Sequence, residues 1–336
     1  MKFETAKKES IMSYILEKIS QNVDGLSKKV AEEFNISTNT VHSYLNELQD
    51  KKIITKSKRG VYQLETKIYT YNLQRSSGHL NSDTYAFDSC LFQHIKNYDD
   101  NVLRIWNYVF SEMTNNVMDH SQAENLKVVV IQNYTQTTVM LVDDGVGIFN
   151  KIKEHFSLSS LDEAICELFK GKLTTDEKNH SGEGIFFSSK VMDTFFIVSS
   201  GKVFATTKYN NDLILNYEVP FDGTCVVMSL SNFTHKKISE VFDSYSNDEG
   251  SFVKTRIPLK NIFDTAPISR SQAKRICNRL DNFTEVILDF EDLDWMGQGF
   301  AHQLFVVYQN ANPDIKLIPI NMNDSIKNMY NHVING

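Results

Sequence analysis

Residues 137–143 read TTVMLVD, and the chain continues as DDGVGI over 143–148. The first run, apolar and rich in β-formers, reads as a strand. It ends on a carboxylate, and two glycines spaced by one residue follow. That order narrows the geometry. The strand holds Asp143 rigidly at the floor of a pocket, while Gly145 and Gly147 let the backbone turn and come close to a flat ligand. A buried carboxylate accepts a hydrogen bond well, and the exocyclic amine of adenine is a suitable donor. The preceding run LKVVVIQ, residues 126–132, supplies a neighbouring strand.

Just before these strands, residues 107–121 read NYVFSEMTNNVMDHS. At about 100° per residue, Trp106, Phe110, Met113 and Val117 form one apolar stripe, and Glu112, Asn116 and Asp119 form a second, polar one. A solvated polar face is the plain reading of the second stripe taken alone. The wheel does not choose between Asn115 and Asn116, since both lie within about 60° of Glu112. His120 falls back towards the apolar face and reads as structural. Farther on, HSGEGIFFSSKVMD (180–193) places Gly182 and Gly184 before a helix from about Ile185 to Val191. A glycine-rich helix entry exposes N–H groups and the positive dipole end, a combination that binds phosphate. FDGTCVVMSL (221–230) puts Gly223 and Thr224 at the start of a late strand.

Each piece alone is weak; the four in this order resemble the GHKL ATP-binding superfamily, shared by type II DNA topoisomerases, heat-shock ATPase chaperones, MutL-type repair proteins, and histidine and anti-sigma serine kinases. The resemblance covers about residues 85–235. It implies Glu112 as the general base towards the γ-phosphate, Asn116 as a ligand to Mg²⁺, and Asp119 as support for the nucleotide. Asp143 would read adenine with help from Thr224. Gly145 and Gly147 would shape the pocket, and Ser181, Gly182, Glu183 and Gly184 would form the phosphate loop. Only the family's spacing favours Asn116 over Asn115. The segment from Phe149 to Ser181 would be a lid, with Lys170 and Lys172 neutralising phosphate charge as it closes. The pattern GxxxxGK[ST] is absent, which removes the P-loop alternative.

The first seventy residues have a different character. SIMSYILEKISQ (10–21) carries Ile11, Ile15, Leu16 and Ile19 at helical spacing. LSKKVAEEF makes a second helix, and TNTVHSYLNELQDK a third, capped by Ser37 or Thr38. KKIITKSKRGVYQLE then reads as strand, turn, strand. This order resembles the winged helix-turn-helix domains of bacterial regulators. The segment holds 12 Lys and Arg against 9 Asp and Glu, whereas the whole chain has a net charge of -7. Thr38, Asn39, Thr40, His42 and Ser43 offer short polar side chains to base edges, and Lys56, Lys58 and Arg59 offer cations to phosphates. Winged helices also serve as protein-interaction modules.

The last eighty residues alternate helix and strand, with EVILDF and DIKLIPI as strands. They resemble the STAS-like domains related to anti-sigma-factor antagonists, with LDFEDLDWMGQGFAHQL as the signature. Where such partners carry a phosphorylated serine, this chain has Met296-Gly297-Gln298, so in-chain serine phosphorylation at that place is chemically impossible and a docking or dimerisation role is expected.

The expected fold class is therefore α+β and multidomain: a winged-helix domain over 1–73, a GHKL α/β sandwich ATP-binding domain over 80–243, and a small STAS-like α/β domain over 251–336, with a polar linker over 74–84 and another, SYSNDEG, over 244–250. Four cysteines without a CxxC pair read as free thiols. With no signal peptide and no long apolar run, a cytoplasmic protein away from membranes is expected. The expected function is a Mg²⁺- and ATP-binding switch, slowly hydrolysing, that couples nucleotide state to DNA binding through the N-terminal module and to a protein partner or self-association through the C-terminal one. A homodimer fits paired DNA half-sites. The alternatives are a protein kinase acting on a separate substrate and a regulator in which ATP is only a ligand.

Overall fold

The structure is a computed structural model that describes residues 2–58, 60–173, 182–206, 222–263 and 266–335, with side chains from residue 7 onward. It is a mixed α/β, multidomain chain with three separate sheets among the described residues. It divides into two compact units: residues 1–69 with 129–138 and 231–233, and residues 70–128 with 139–230 and 234–336.

The N-terminal module begins with helices Lys2–Ser20, Leu26–Phe34 and Thr38–Asp50. Its core is made by Ile11, Ile15, Leu16, Ile19, Val30, Val41, Leu45 and Leu48, the apolar stripes of the three helices, closed by Ile54 and Tyr62. Asn35 takes φ 49 to end the second helix, and Ser37 caps the third by accepting from Thr40 N at 3.1 Å. Strands β1 (Ile54–Lys58) and β2 (Val61–Leu64) form an antiparallel pair.

A six-stranded sheet has the order β3-β4-β5-β8-β6-β7, with β3 Lys67–Gln74, β4 Asn125–Gln132, β5 Gln136–Asp143, β6 Thr194–Ser199, β7 Lys202–Ala205 and β8 Thr224–Ser231. Strands β5 and β8 are buried along nearly their whole length, their apolar stretches Val139–Val142 and Cys225–Met228 flanked by buried Thr and Ser residues. Residues 67–74 were expected at the end of the N-terminal module and the start of a linker. They alternate, KIYTYNLQ, and form the sheet's first strand. Arg75, just beyond it, donates to the carbonyls of Ala123 (2.8 Å) and Met118 (3.1 Å), so this stretch is fastened.

Helix Asp100–Asn116 buries Ile105, Trp106, Val109, Phe110 and Met113. It continues as a π-helical turn, Val117–Ser121, whose end is tied by Ser121 Oγ donating to Val117 O at 2.6 Å.

The C-terminal layer is a three-stranded parallel sheet ordered β11-β10-β9, with β9 Lys254–Pro258, β10 Glu285–Asp289 and β11 Lys316–Ile320. The crossover helix Arg270–Cys277 starts with a capping box between Ser269 and Gln272. The expected linker at 244–250 is a short tied turn: Asn247 Oδ1 accepts from Glu249 N and Ser251 N, and Ser246 bridges Phe252. Phe252 is buried against Phe186, Phe187 and Phe283. The C-terminal layer therefore shares a core with the preceding helices rather than hanging from a tether. Aromatic residues distant in sequence supply that seam, and no local pattern announces it.

Candidate functional site

A cavity of about 240 Å³ is lined by Glu112, Asn116, Asp143, Gly147, Gly182, Gly184 and Thr224, with Val146, Ile148, Leu168, Ile197 and Val226 among its apolar walls. Four segments far apart in sequence thus meet at one place.

At the floor, Asp143 ends β5 and is 3% exposed. Its Oδ1 accepts from Gly145 N at 2.8 Å. Burial pushes its carboxyl up to about 6, against the opposing pull of hydrogen bonds from Gly145 and Thr224 backbone N–H groups. The neighbouring Asp144 is differently used: it accepts from Asn125 N (2.9 Å) and Nδ2 (2.7 Å), which fixes the start of β4. Thr224 Oγ1 accepts from Ile148 N at 3.0 Å, anchoring the helix Ile148–His155 that follows the two glycines. A side chain on Gly145 would collide with the Ser121 carbonyl, and Gly147 holds φ 80 beside Ser199 Oγ. The close approaches expected of these glycines are present, with the chain's own backbone on the other side.

On the wall, Glu112 and Asn116 share one helix face. The Asn116 amide nitrogen points at Met113 Sδ, 3.9 Å away, leaving its oxygen as the end for a ligand. Asn115 does not line the cavity. Glu112 packs against the α-carbon of Gly184, where any side chain would strike its carboxylate. Burial, then the charges of Glu112 and Glu183, raises the Tyr108 phenol. Gly182 takes φ 72, and its carbonyl accepts from Leu173 N at 3.0 Å; Gly184 opens the helix Gly184–Val191. Ser181 lies outside the described residues, and Glu183 does not line the cavity.

Three placements differ from the sequence reading. Asp119 is exposed and His120 lines the cavity instead. The π turn at 117–121 explains this, because each such turn takes about one residue more than an α turn and so advances the cavity face from 119 to 120. Lys170 is 1% exposed; its ammonium donates to Glu167 (2.6 Å) and to the carbonyls of Asn278 (2.6 Å) and Arg275 (3.1 Å). Lys172 donates to Asn282 O at 2.8 Å and lies over the rings of Phe252 and Phe283. Both ammonium groups are engaged with the C-terminal layer, so neither faces the cavity. The lysine that does line it is Lys151, whose Nζ donates to His120 O at 2.7 Å. The helix wheel over residues 106–120 had no means of finding Lys151, which lies one turn after Gly147 on the helix Ile148–His155.

In the N-terminal module, Thr38, Asn39, His42 and Ser43 are exposed along the third helix, beside a shallow depression that also includes Asn46, Glu47 and Asp50. The Thr40 hydroxyl is held by Ser37 Oγ at 2.9 Å. Lys56 and Lys58 are exposed on β1; Arg59 lies outside the described residues. Glu47 is met by Lys8 at 2.6 Å and Lys51 at 2.9 Å.

Among known families, residues 272–327 match the one described as STAS-like domain of unknown function (DUF4325). Residues 272–327 of the C-terminal layer thus belong to a STAS-like domain. No curated protein matches the chain. Among the described residues, no helix is long and apolar enough to cross a membrane.

Proposed function

We propose that the chain is a Mg²⁺-ATP-dependent regulatory switch of the GHKL superfamily, with slow hydrolysis resetting it, and that a winged helix-turn-helix module and the STAS-like domain report its state to DNA and to a protein partner. One observation carries the reading: Glu112, Asn116, Asp143, the glycines at 182 and 184, and Thr224 converge on a single cavity.

The residues suit the ligand. Asp143 is a buried acceptor with backbone N–H neighbours and, among the described residues, no counter-cation, which fits a neutral amine donor such as adenine's. With its carboxyl at about 6 it is ionised at neutral pH and accepts. Gly182 and Gly184 place helix N–H groups where phosphate oxygens are stabilised. Mg²⁺ needs few protein ligands beside phosphate and water; the amide oxygen of Asn116 supplies one, and the ion when bound neutralises phosphate charge. Glu112 accepts the proton of the attacking water. Lys151 and His120 add polar groups to the same wall.

The state is transmitted through contacts that are already in place. Leu168 and Leu173 line the cavity, while Glu167, Lys170 and Lys172 on the same stretch bond the STAS-like domain. A nucleotide that shifts this stretch shifts that domain.

Glu112→Ala should keep ATP binding and lower turnover by about 10²–10⁴ fold, and Asn116→Ala should weaken Mg²⁺-ATP binding by at least about tenfold. Calorimetry and release of labelled γ-phosphate measure both. Full hydrolysis by the two variants overturns the assignment, and label that stays on protein identifies a kinase.

A further inference from the structure

A second cleft, about 420 Å³, opens on the far side of helix Gly184–Val191. Its walls come from that helix (Ser189, Lys190), from Tyr245, and from the carboxyl ends of β9 and β10 with their following loops (Arg256, Pro258, Asp289, Glu291). The carboxyl ends of parallel strands are where α/β sheets place their ligands. The helix thus has one end in each cleft: Gly184 and Ile185 line the first, Ser189 and Lys190 the second.

The charges in this cleft are unevenly satisfied. Asp193 is paired with Lys236 at 2.7 Å, and Lys236 also reaches the Val191 and Met192 carbonyls at 3.3 Å. Asp289 accepts from Arg256 Nε (3.0 Å) and Nη2, from Asn321 Nδ2 (2.9 Å) and from Glu291 N (3.1 Å). Glu291, Asp292 and Lys260 are exposed at the rim. Lys190 remains. Its ammonium sits 5.0 Å from the centre of the Phe186 ring and 5.9 Å from that of Tyr245, and among the described residues it has no hydrogen bond and no ion pair. Lys190 keeps partial exposure, yet burial, followed by the nearby positive charge of Arg256, pulls its ammonium down to about 8, with Asp289 opposing. Lys190, Arg256 and Asp289 together leave one positive charge on this wall, met by the Phe186 and Tyr245 rings, while Lys260, Glu291 and Asp292 at the rim leave the cleft neutral as a whole.

We propose that this cleft binds a small molecule through an oxyanion group, phosphate in class, held by Lys190 and Arg256. An isolated cation is costly to desolvate and a bound anion removes that cost. Arg256 spends Nε and one Nη2 hydrogen on one carboxylate oxygen, which leaves Nη1 and the second Nη2 hydrogen as a planar donor pair of the kind that suits a tetrahedral oxyanion. The site is separate from the nucleotide cavity, and its occupant touches the same helix from the opposite end.

The experiment uses the full chain with ¹³C-methylated lysines and inorganic phosphate as the probe, at ionic strength matched with chloride. Phosphate should shift the Lys190 methyl resonance and raise its titration midpoint, while chloride does neither. Lys190→Met, which removes a poorly solvated charge, should melt at the same temperature as the parent or higher and should lose the phosphate-specific part of the thermal stabilisation. Arg256→Gln should weaken the shift at Lys190 at least several-fold. The proposal falls if phosphate and chloride act alike on Lys190. It falls equally if Lys190→Met melts lower while retaining the full phosphate effect, since Lys190 is then a packing residue.

Discussion

Two buried carboxylates, one at the floor of the cavity lined by Glu112 and Asn116 and one at the seam with the STAS-like domain, are equally dry and differently treated. Asp143 and Glu167 are each 3% exposed. Glu167 is met by Lys170 at 2.6 Å, by Arg279 at 3.6 Å and by Asn278 Nδ2 at 3.3 Å. Asp143 is met by backbone N–H groups and, among the described residues, by no cation, and burial raises its carboxyl to about 6. A buried acid with its counter-charge built in is a fastener. A buried acid without one carries an unrelieved desolvation cost that a ligand can relieve. The same contrast separates Lys170, fully engaged, from Lys190, which has no hydrogen bond or ion pair among the described residues.

The largest effect is expected at the seam. Lys170→Met leaves Glu167 buried with its main counter-charge gone and should cost about 3–5 kcal/mol of stability by denaturant unfolding. Adding Glu167→Leu to the same chain should recover most of that loss, because a buried pair replaced by apolar groups is close to neutral. The folded fraction of both should still bind ATP. A folded Lys170→Met protein that no longer binds ATP would break the contrast, since Lys170 would then have to swing to the phosphates.

A smaller effect of opposite sign is expected at the floor. The folded carboxyl of Asp143 lies above its unfolded value of 3.8, so the folded state binds more protons between about pH 4 and 6. Stability from this group is therefore present at low pH and is lost as pH rises through about 6. Asp143→Asn keeps the acceptor for Gly145 N and never ionises. Its advantage in unfolding free energy should be small at pH 4, grow through pH 6 and level off at about 2–3 kcal/mol. ATP affinity should fall at the same time. Equal stability of parent and variant across that range would place a cation near Asp143 and erase the difference from Glu167.

Much of this floor was legible in the sequence, because each part has a local signature: an apolar strand ending on Asp143, glycines at 145 and 147, a glycine-led helix at 184, Gly223-Thr224 at a strand start. Glu112 and Asn116 were legible as one face of a regular helix. The reading failed where regularity did. The π turn at 117–121 exchanged Asp119 for His120, and no periodicity argument anticipates an extra residue in a turn. Lys170 and Lys172 were placed by their proximity in sequence to the lid segment, but partners more than a hundred residues away, Asn278 and Asn282, decide where their ammonium groups go. The seam built by Phe186, Phe187 and Phe252 is equally non-local. Residues 67–74 alternate, but their partner strand β4 begins some fifty residues farther on, so no local pattern assigns them to this sheet.

The smallest effect is expected where charge is neither buried nor fastened. Lys56 and Lys58 are exposed on β1, with the Lys56 ammonium 5.9 Å from the centre of the Tyr62 ring, and surface charges of this kind contribute little to folding. In DNA binding such groups act by displacing condensed counterions, and each phosphate contact contributes about 0.9 to the slope of log affinity against log salt. Lys56→Ala and Lys58→Ala should each lower that slope by about this amount on any duplex sequence, with no change in melting temperature. Lys51→Ala should do less, because Lys51 already serves Glu47 at 2.9 Å, and releasing it to a phosphate leaves that carboxylate with Lys8 alone. Fluorescence anisotropy on a random duplex at several salt concentrations ranks the three. If Lys51→Ala has the full effect, the Glu47 pair opens on contact with DNA, and a visible ion pair on this surface is no bar to phosphate binding. If none of the three alters the slope, the module binds something other than nucleic acid, and its exposed polar helix face is a protein-interaction surface.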